Sequence, residues 1–360
     1  MKAAILHEAK APLTIEEVTL RAPRADEVLV RTAVSGVCHT DLHMADGHWE
    51  VDTPAVLGHE ATGIVEAVGE NVRYVRPGDR VLLSGMPLCG RCNFCLSGRP
   101  YLCRDEGLRE LTTDRLNWNG RPVTQYSFVS SFAEYMLTVE TGVVKLPQTM
   151  PFAEATLIGC GVMTGVGAAL YTARVPGGAV TAVIGCGGVG LSIVQGCRIA
   201  GASRILAIDL LDHRLELARA MGATDVINAA KANPVEAAKE LTADGVEFAF
   251  EAIGNVDVAR QAFDMVQRGG TAVIVGGMPT GAEVRLPGLD FLWESKSVIG
   301  CLYGSTRFRE HMPKLMSLYQ QGHLKLSEMI GKRYRLDEIN ESFQAMARGE
   351  VLRPMIDFPA

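Results

Sequence analysis

Val180-Thr-Ala-Val-Ile-Gly-Cys-Gly-Gly-Val-Gly-Leu191 runs an apolar strand pattern into three glycines, Gly185, Gly187 and Gly190, spaced G-x-G-x-x-G ahead of a helical pattern. That order suits a dinucleotide pyrophosphate. One glycine allows the tight turn, one the close approach of the phosphates and one the packing of the helix, whose N-terminus offers free N–H groups. Gly188 and Val189 complete the same cradle. Asp209 follows at the end of the next apolar run, Ile205-Leu206-Ala207-Ile208, where a carboxylate meets the adenosine ribose hydroxyls and repels a 2′-phosphate. The residues therefore favour NAD over NADP, with Arg214 near enough to soften the preference.

Outward from this loop, apolar strand candidates alternate with helical patterns from about residue 160 to 302, which implies parallel strands joined by right-handed crossovers in a doubly wound sheet. Residues 1 to about 80 differ. They read as short β segments, such as Val28-Leu29-Val30 and Gly63-Ile64-Val65-Glu66-Ala67-Val68, broken by turn residues, and so as an antiparallel, barrel-like fold. The polar stretch from Arg104 to Gln125 lacks periodicity and is expected to be a long surface loop. The tail after residue 302 is too short for a domain and is expected to return to the first one.

Composition narrows the function. With 360 residues, of which 48% are hydrophobic, the chain has enough material for two cores. Its 35 Lys and Arg against 41 Asp and Glu give a net charge of −6, which disfavours nucleic acid and anionic membranes as partners. The start has no signal-peptide pattern, so a cytoplasmic protein is expected.

Nine cysteines, an odd number, argue for metal or catalysis over a disulfide framework. Cys89, Cys92, Cys95 and Cys103 offer four thiolates in one short segment, enough for a closed tetrahedral zinc site of structural type. A second set is dispersed: Cys38, His59 and Cys160. Spacing alone leaves these open between a joint metal site and buried cysteines with a turn histidine. Cys186, Cys197 and Cys301 read as small core residues.

At Gly58-His59-Glu60-x2-Gly63-x5-Gly69-x2-Val72, at the four-cysteine spacing and at Ile158-Gly-Cys-Gly-Val-Met-Thr-Gly165, the chain resembles the zinc-dependent alcohol dehydrogenases of the medium-chain dehydrogenase/reductase superfamily. The resemblance covers essentially the full length. It implies an α/β protein with a GroES-like β-rich catalytic domain, residues 1–160 and 303–360, carrying a structural zinc lobe at about 89–103, and a Rossmann domain, residues 161–302. It also implies a catalytic zinc on Cys38, His59 and Cys160, with Glu60 as an acidic neighbour and Asp41 fixing the tautomer of His59. Thr40 would accept the substrate proton and His43 release it to solvent after passage through the cofactor ribose. His39 and Arg353 would contact cofactor phosphate.

The implied substrate is a small-molecule alcohol or its carbonyl product. Gly85 stands where many relatives have a bulky aromatic and Trp49 where many have Leu, so one pocket wall opens as another fills, and bulkier, aromatic or secondary alcohols are expected. Two alternatives are oxidation of a formaldehyde–thiol adduct, and a non-catalytic NAD-binding protein, which would have no need of the whole ligand and relay set. A homodimer is expected, with a tetramer as the other option, formed through a sheet edge in the region Gly270–Leu286.

Overall fold

The computed structural model describes residues 1–359, and the chain divides into two units, Met1–Cys160 with Arg307–Ala360, and Gly161–Thr306. The second boundary lies just beyond residue 302 because the turn Tyr303–Ser305 packs against Gly167. A Cβ there would lie 2.6 Å from the Gly304 carbonyl.

The first unit is β-rich. Strand β1 (Lys2–Leu6) is buried from Ala3 to Leu6, and β2 (Glu27–Gly36) buries Val28, Val30, Thr32 and Val34 in alternation, the period of a strand with one face in a core. One edge of β2 pairs antiparallel with β3 (Glu60–Val68) from Val28↔Val68 to Gly36↔Glu60, and β3 continues to β4 (Arg80–Leu83). The other edge of β2 is shared between Tyr135–Val139 and the C-terminal strand Met355–Asp357. The tail thus joins this sheet, and its helix Ile339–Ala347 sets Phe343 against Phe132 at 5.9 Å between ring centroids.

The stretch 104–125 is not a surface loop. It contains the helix Glu106–Glu110 and a hairpin, Leu116–Trp118 with Arg121–Gln125, turning on Asn119 (φ 49°) and Gly120 (φ 81°). One of its charges is paired inward. Arg115 is wholly buried, with Nε 2.9 Å and Nη2 2.8 Å from Glu27 Oε1, and Nη1 2.5 Å from Gln125 Oε1.

The second unit is a six-stranded parallel sheet built from β5 (Val180–Ile184), β6 (Arg204–Asp209), β7 (Asp225–Asn228), β8 (Val246–Glu251), β9 (Val266–Ile274) and β10 (Ser297–Gly300), in the spatial order β7-β6-β5-β8-β9-β10. The order reverses between β5 and β8, the switch point where such sheets take ligands. Residues 270–274 belong to β9, whose hydrogen bonds go to β8 and β10, so the sheet's edges are β7 and β10 and not this part of β9.

One helical run, Phe152–Thr172, has the length and apolar character of a membrane span, but 78% of its apolar window is buried within the protein, as in a core helix. It contains a π-helical turn at Ile158–Val162.

Candidate metal and cofactor sites

The register Gly36↔Glu60 sets the end of β2 beside the start of β3, so Cys38, two residues past the strand, meets His59, one residue before its neighbour. Cys160 comes from the π-helical turn, an irregularity often found at functional positions. Ligand atoms of Cys38, His59, Glu60 and Cys160 all lie within 4.8 Å of one another. Gly36 permits this closeness, since a Cβ there would sit 2.4 Å from Glu60 Oε2.

Asp41 organises the cluster from α1 (His39–Ala45). Its Oδ1 accepts from Gly58 N at 3.0 Å and from His59 Nδ1 at 3.0 Å, while Oδ2 accepts from Cys38 N at 3.1 Å. With Nδ1 engaged, His59 presents Nε2 to the thiols. The hydrogen bond with Cys160 draws the Cys38 thiol well below its usual range despite burial. Burial alone would favour a neutral His59, yet the negative charges of Asp41 and Cys160 outweigh it and raise the imidazole. Glu60 is wholly buried, which pushes its carboxyl up to about 7 against the pull of Arg353, and Oε1 has no hydrogen-bond partner. Two soft sulfur donors, one imidazole and an unpartnered carboxylate oxygen suit zinc with an open position.

The four-cysteine lobe is tighter in sequence and more exposed. Cys89 and Cys95 Sγ atoms are 4.0 Å apart and those of Cys92 and Cys103 3.9 Å, close to the edge of about 3.8 Å expected for four sulfurs around zinc. Backbone N–H groups of Cys89 and Cys92 point at Cys103 and Cys89 Sγ, from 3.4 and 3.3 Å. The donors fit a closed tetrahedral site.

Around the dispersed cluster, Thr40 and His43 lie three residues apart on α1, hence on one face, and His39 is exposed. His43 stacks at a tilt on Trp49, with centroids 5.2 Å apart. Gly85 faces His59 and Ser127: a Cβ would lie 3.5 Å from His59 Cβ and 3.2 Å from Ser127 Cβ. Arg353, expected on cofactor phosphate, is buried beside the cluster and donates from Nη2 to Glu60, a contact that uses one of its five N–H donors.

Sequence reading missed Tyr126 and Ser127. The Tyr126 ring stands edge-on to His59 at 5.8 Å, and Ser127, Phe128 and Ser130 all adopt left-handed backbone, at φ 49°, 60° and 51°. Such strain in non-glycine residues clusters at functional sites. No local sequence rule flags it, although Ser130 Oγ, bonded to Val56 O at 2.6 Å and Tyr126 N at 2.8 Å, shows how the segment is held.

In the second unit the glycine loop joins β5 to α2 (Gly188–Ala200). A Cβ at Gly190 would lie 1.7 Å from the Gly185 carbonyl, so only glycine allows the packing, while the Cβ direction of Gly187 is open for 4 Å. Asp209 holds the loop: Oδ2 accepts from Cys186 N at 2.8 Å, Oδ1 from Leu210 N at 2.8 Å and Leu211 N at 3.1 Å, and Arg214 Nη1 is 3.9 Å away.

Residues 24–148 match the alcohol dehydrogenase GroES-like domain family, and residues 188–321 the zinc-binding dehydrogenase family. Over its full length the chain is 36% identical to an alcohol dehydrogenase zinc-binding domain protein from Burkholderia ambifaria, covering 99% of that chain with a TM-score of 0.94. The chain belongs to the zinc-dependent alcohol dehydrogenases of the medium-chain dehydrogenase/reductase superfamily. This dehydrogenase is also 35% identical to benzyl alcohol dehydrogenase from Acinetobacter calcoaceticus, with 99% of each chain covered and a TM-score of 0.92. A zinc-binding dehydrogenase from Sinorhizobium meliloti, solved bound to NADP, is 28% identical over 99% of each chain with a TM-score of 0.83. Membership makes the chain an oxidoreductase that uses zinc and a nicotinamide cofactor, on the GroES-like and Rossmann-like folds described above.

Proposed function

We propose that this dehydrogenase interconverts bulky, aromatic or secondary alcohols and their aldehydes or ketones with NAD, using a catalytic zinc on Cys38, His59 and Cys160 and a structural zinc on Cys89, Cys92, Cys95 and Cys103. The observation that carries the reading is the convergence of Cys38, His59 and Cys160 on one point, with Asp41 bonded to both Cys38 N and His59 Nδ1. When bound, zinc would supply a Lewis acid for the alcohol oxygen and the nicotinamide cofactor a hydride acceptor. The protein's part is to remove the remaining proton. Thr40 accepts it at Oγ1, and His43, on the same face of α1, carries it outward.

Three backbone N–H groups hold the Asp209 carboxylate at the end of β6, where the ribose hydroxyls would lie, which supports NAD over NADP. The small residue at Gly85 and the likeness to benzyl alcohol dehydrogenase support a bulky substrate. A homodimer is part of the same proposal. Leu289, Leu292 and Trp293, on the helix Gly288–Trp293, are 63%, 72% and 73% exposed, an apolar group of the kind that marks an interface.

The test is NADH formation by zinc-replete protein on primary, secondary and aromatic alcohols and on the formaldehyde–glutathione adduct, with NADP in parallel. Turnover of aromatic alcohols with NAD is expected. Turnover of the thiol adduct alone would replace the substrate class, and equal rates with NADP would remove the argument from Asp209.

A further inference from the structure

Beyond His43 the chain places a second imidazole. His48 Nδ1 lies 3.3 Å from His43 Nδ1, with the rings edge-on at 5.5 Å between centroids. His43 is half-buried and His48 is exposed. The backbone enforces the meeting: after α1 the chain turns through Gly47 (φ 70°), and both His48 N and Trp49 N bond back to the His43 carbonyl, at 2.9 and 3.2 Å. Trp49 covers the His43 ring from another side. His48 is therefore the outward partner of an otherwise sheltered imidazole.

We propose that His48 is the outer member of a two-histidine proton exit, a role that rests on the dehydrogenase reading above. During alcohol oxidation His43 gains the substrate proton at Nε2 and passes the proton on Nδ1 to His48 Nδ1. His48 releases its Nε2 proton to water, so one proton enters and one leaves, and no electrons move. Both rings then regain their starting tautomers by exchange with water, each losing the proton it holds and taking one on its other nitrogen, so that His43 Nε2 is again free to accept in the next cycle. Carbonyl reduction runs the same path inward. Burial and the neighbouring His48 both lower the pKa of His43, which keeps it neutral and able to accept.

His48→Gln tests the role without disturbing the backbone turn. In a single turnover at minimal buffer, NADH absorbance and a pH-indicator dye are followed together. In the wild type the two signals rise in step. In His48→Gln the proton signal should lag roughly fivefold, less than the ~10²-fold effect of removing a primary acid–base group, and millimolar imidazole should restore it. Without substrate, 15N shifts of the His43 ring nitrogens should change in the variant, since Nδ1 loses its partner. An unchanged proton signal, or a lag that imidazole leaves intact, overturns the relay. A wild-type protein that oxidises no alcohol overturns the dehydrogenase reading and the relay together, whereas normal wild-type turnover with an unaltered variant removes the relay alone.

Discussion

Two thiol clusters of similar size sit in one unit of this protein and are built in opposite ways. The lobe draws Cys89, Cys92, Cys95 and Cys103 from a single short segment, and its sulfurs are partly exposed and touched mainly by one another and by backbone N–H groups. The other cluster draws Cys38, His59 and Cys160 from the end of one strand, the start of its neighbour and a π-helical turn, and surrounds them with the buried charges of Asp41, Glu60 and Arg353. The contrast separates cost from use. A local closed set of donors lends its metal's binding energy to the fold of the segment. A dispersed set needs the whole sheet to form first, and its buried charges are expensive unless they hold something. On the proposed function, the first arrangement would buttress a structure, while the second would use the surrounding structure to prepare a reactive centre.

The sharpest way to break this contrast is to remove one donor from each cluster. His59→Ala should lower zinc content to that of the lobe and reduce alcohol turnover on the order of 10³-fold or more, since a Lewis acid supplies several kcal/mol to the reaction. Cys103→Ser should do the reverse in kind. The midpoint should fall by about 2–4 °C for each kcal/mol the lobe loses, while protein that stays folded keeps its turnover per catalytic zinc. Differential scanning calorimetry with metal analysis reads both. A Cys103→Ser variant that is stable but inactive would show that the two clusters do not divide the work in this way.

A smaller effect tests how the buried cluster is aimed. Asp41 accepts three hydrogen bonds, from Gly58 N, His59 Nδ1 and Cys38 N. In Asp41→Asn the oxygen can keep two of these, but the amide nitrogen then meets the Cys38 N–H, donor against donor. Affinity for zinc at this cluster should drop about 10–100-fold with the lobe unaffected, measured by competition with a chelator. Equal loss from both clusters would mean that Asp41 stabilises the unit as a whole.

The same contrast explains what was legible in the sequence. The lobe and the glycine loop are local patterns, and the nucleotide-binding sheet announces itself through short, continuous apolar strand runs alternating with helical patterns. The strand Val180–Ile184 and the helix Gly188–Ala200 follow the pattern almost residue for residue. The dispersed cluster could not be settled that way, because the register Gly36↔Glu60 that joins Cys38 to His59 is a long-range property. It took the resemblance to a family to group those residues. The pairing of Arg353 with Glu60 was hidden for the same reason, since nothing near Arg353 in sequence shows the buried carboxylate it meets. The hairpin at Asn119-Gly120 is a different case. Asn-Gly is a strong two-residue hairpin signal, but the surrounding charges suggested a solvated loop, and the buried Arg115–Glu27 pair shows where one of those charges went.

The smallest effect comes from a group in neither cluster, and it has to be known before acid is used to strip metal from one cluster ahead of the other. His311 lies buried in the first turn of the helix Phe308–Gln320, where its Nδ1 accepts a hydrogen bond from Arg307 N at 3.2 Å. Burial lowers its pKa from an ordinary 6.5 to about 4, although Glu310 pulls the other way. Between those values the unfolded chain binds a proton that the folded chain refuses. The stability this neutral imidazole contributes is therefore complete above 6.5 and is lost as the pH falls toward 4, at no more than about 1.4 kcal/mol per pH unit for one proton. His311→Gln should flatten that part of the acid limb in urea unfolding at a series of pH values, while costing about 1 kcal/mol at neutral pH through the altered bond to Arg307 N. What remains of the acid limb then belongs to thiolates taking up protons and releasing metal. An acid limb that His311→Gln leaves unchanged would assign the whole of it to the two clusters, and the exposed lobe should then lose its zinc at the higher pH.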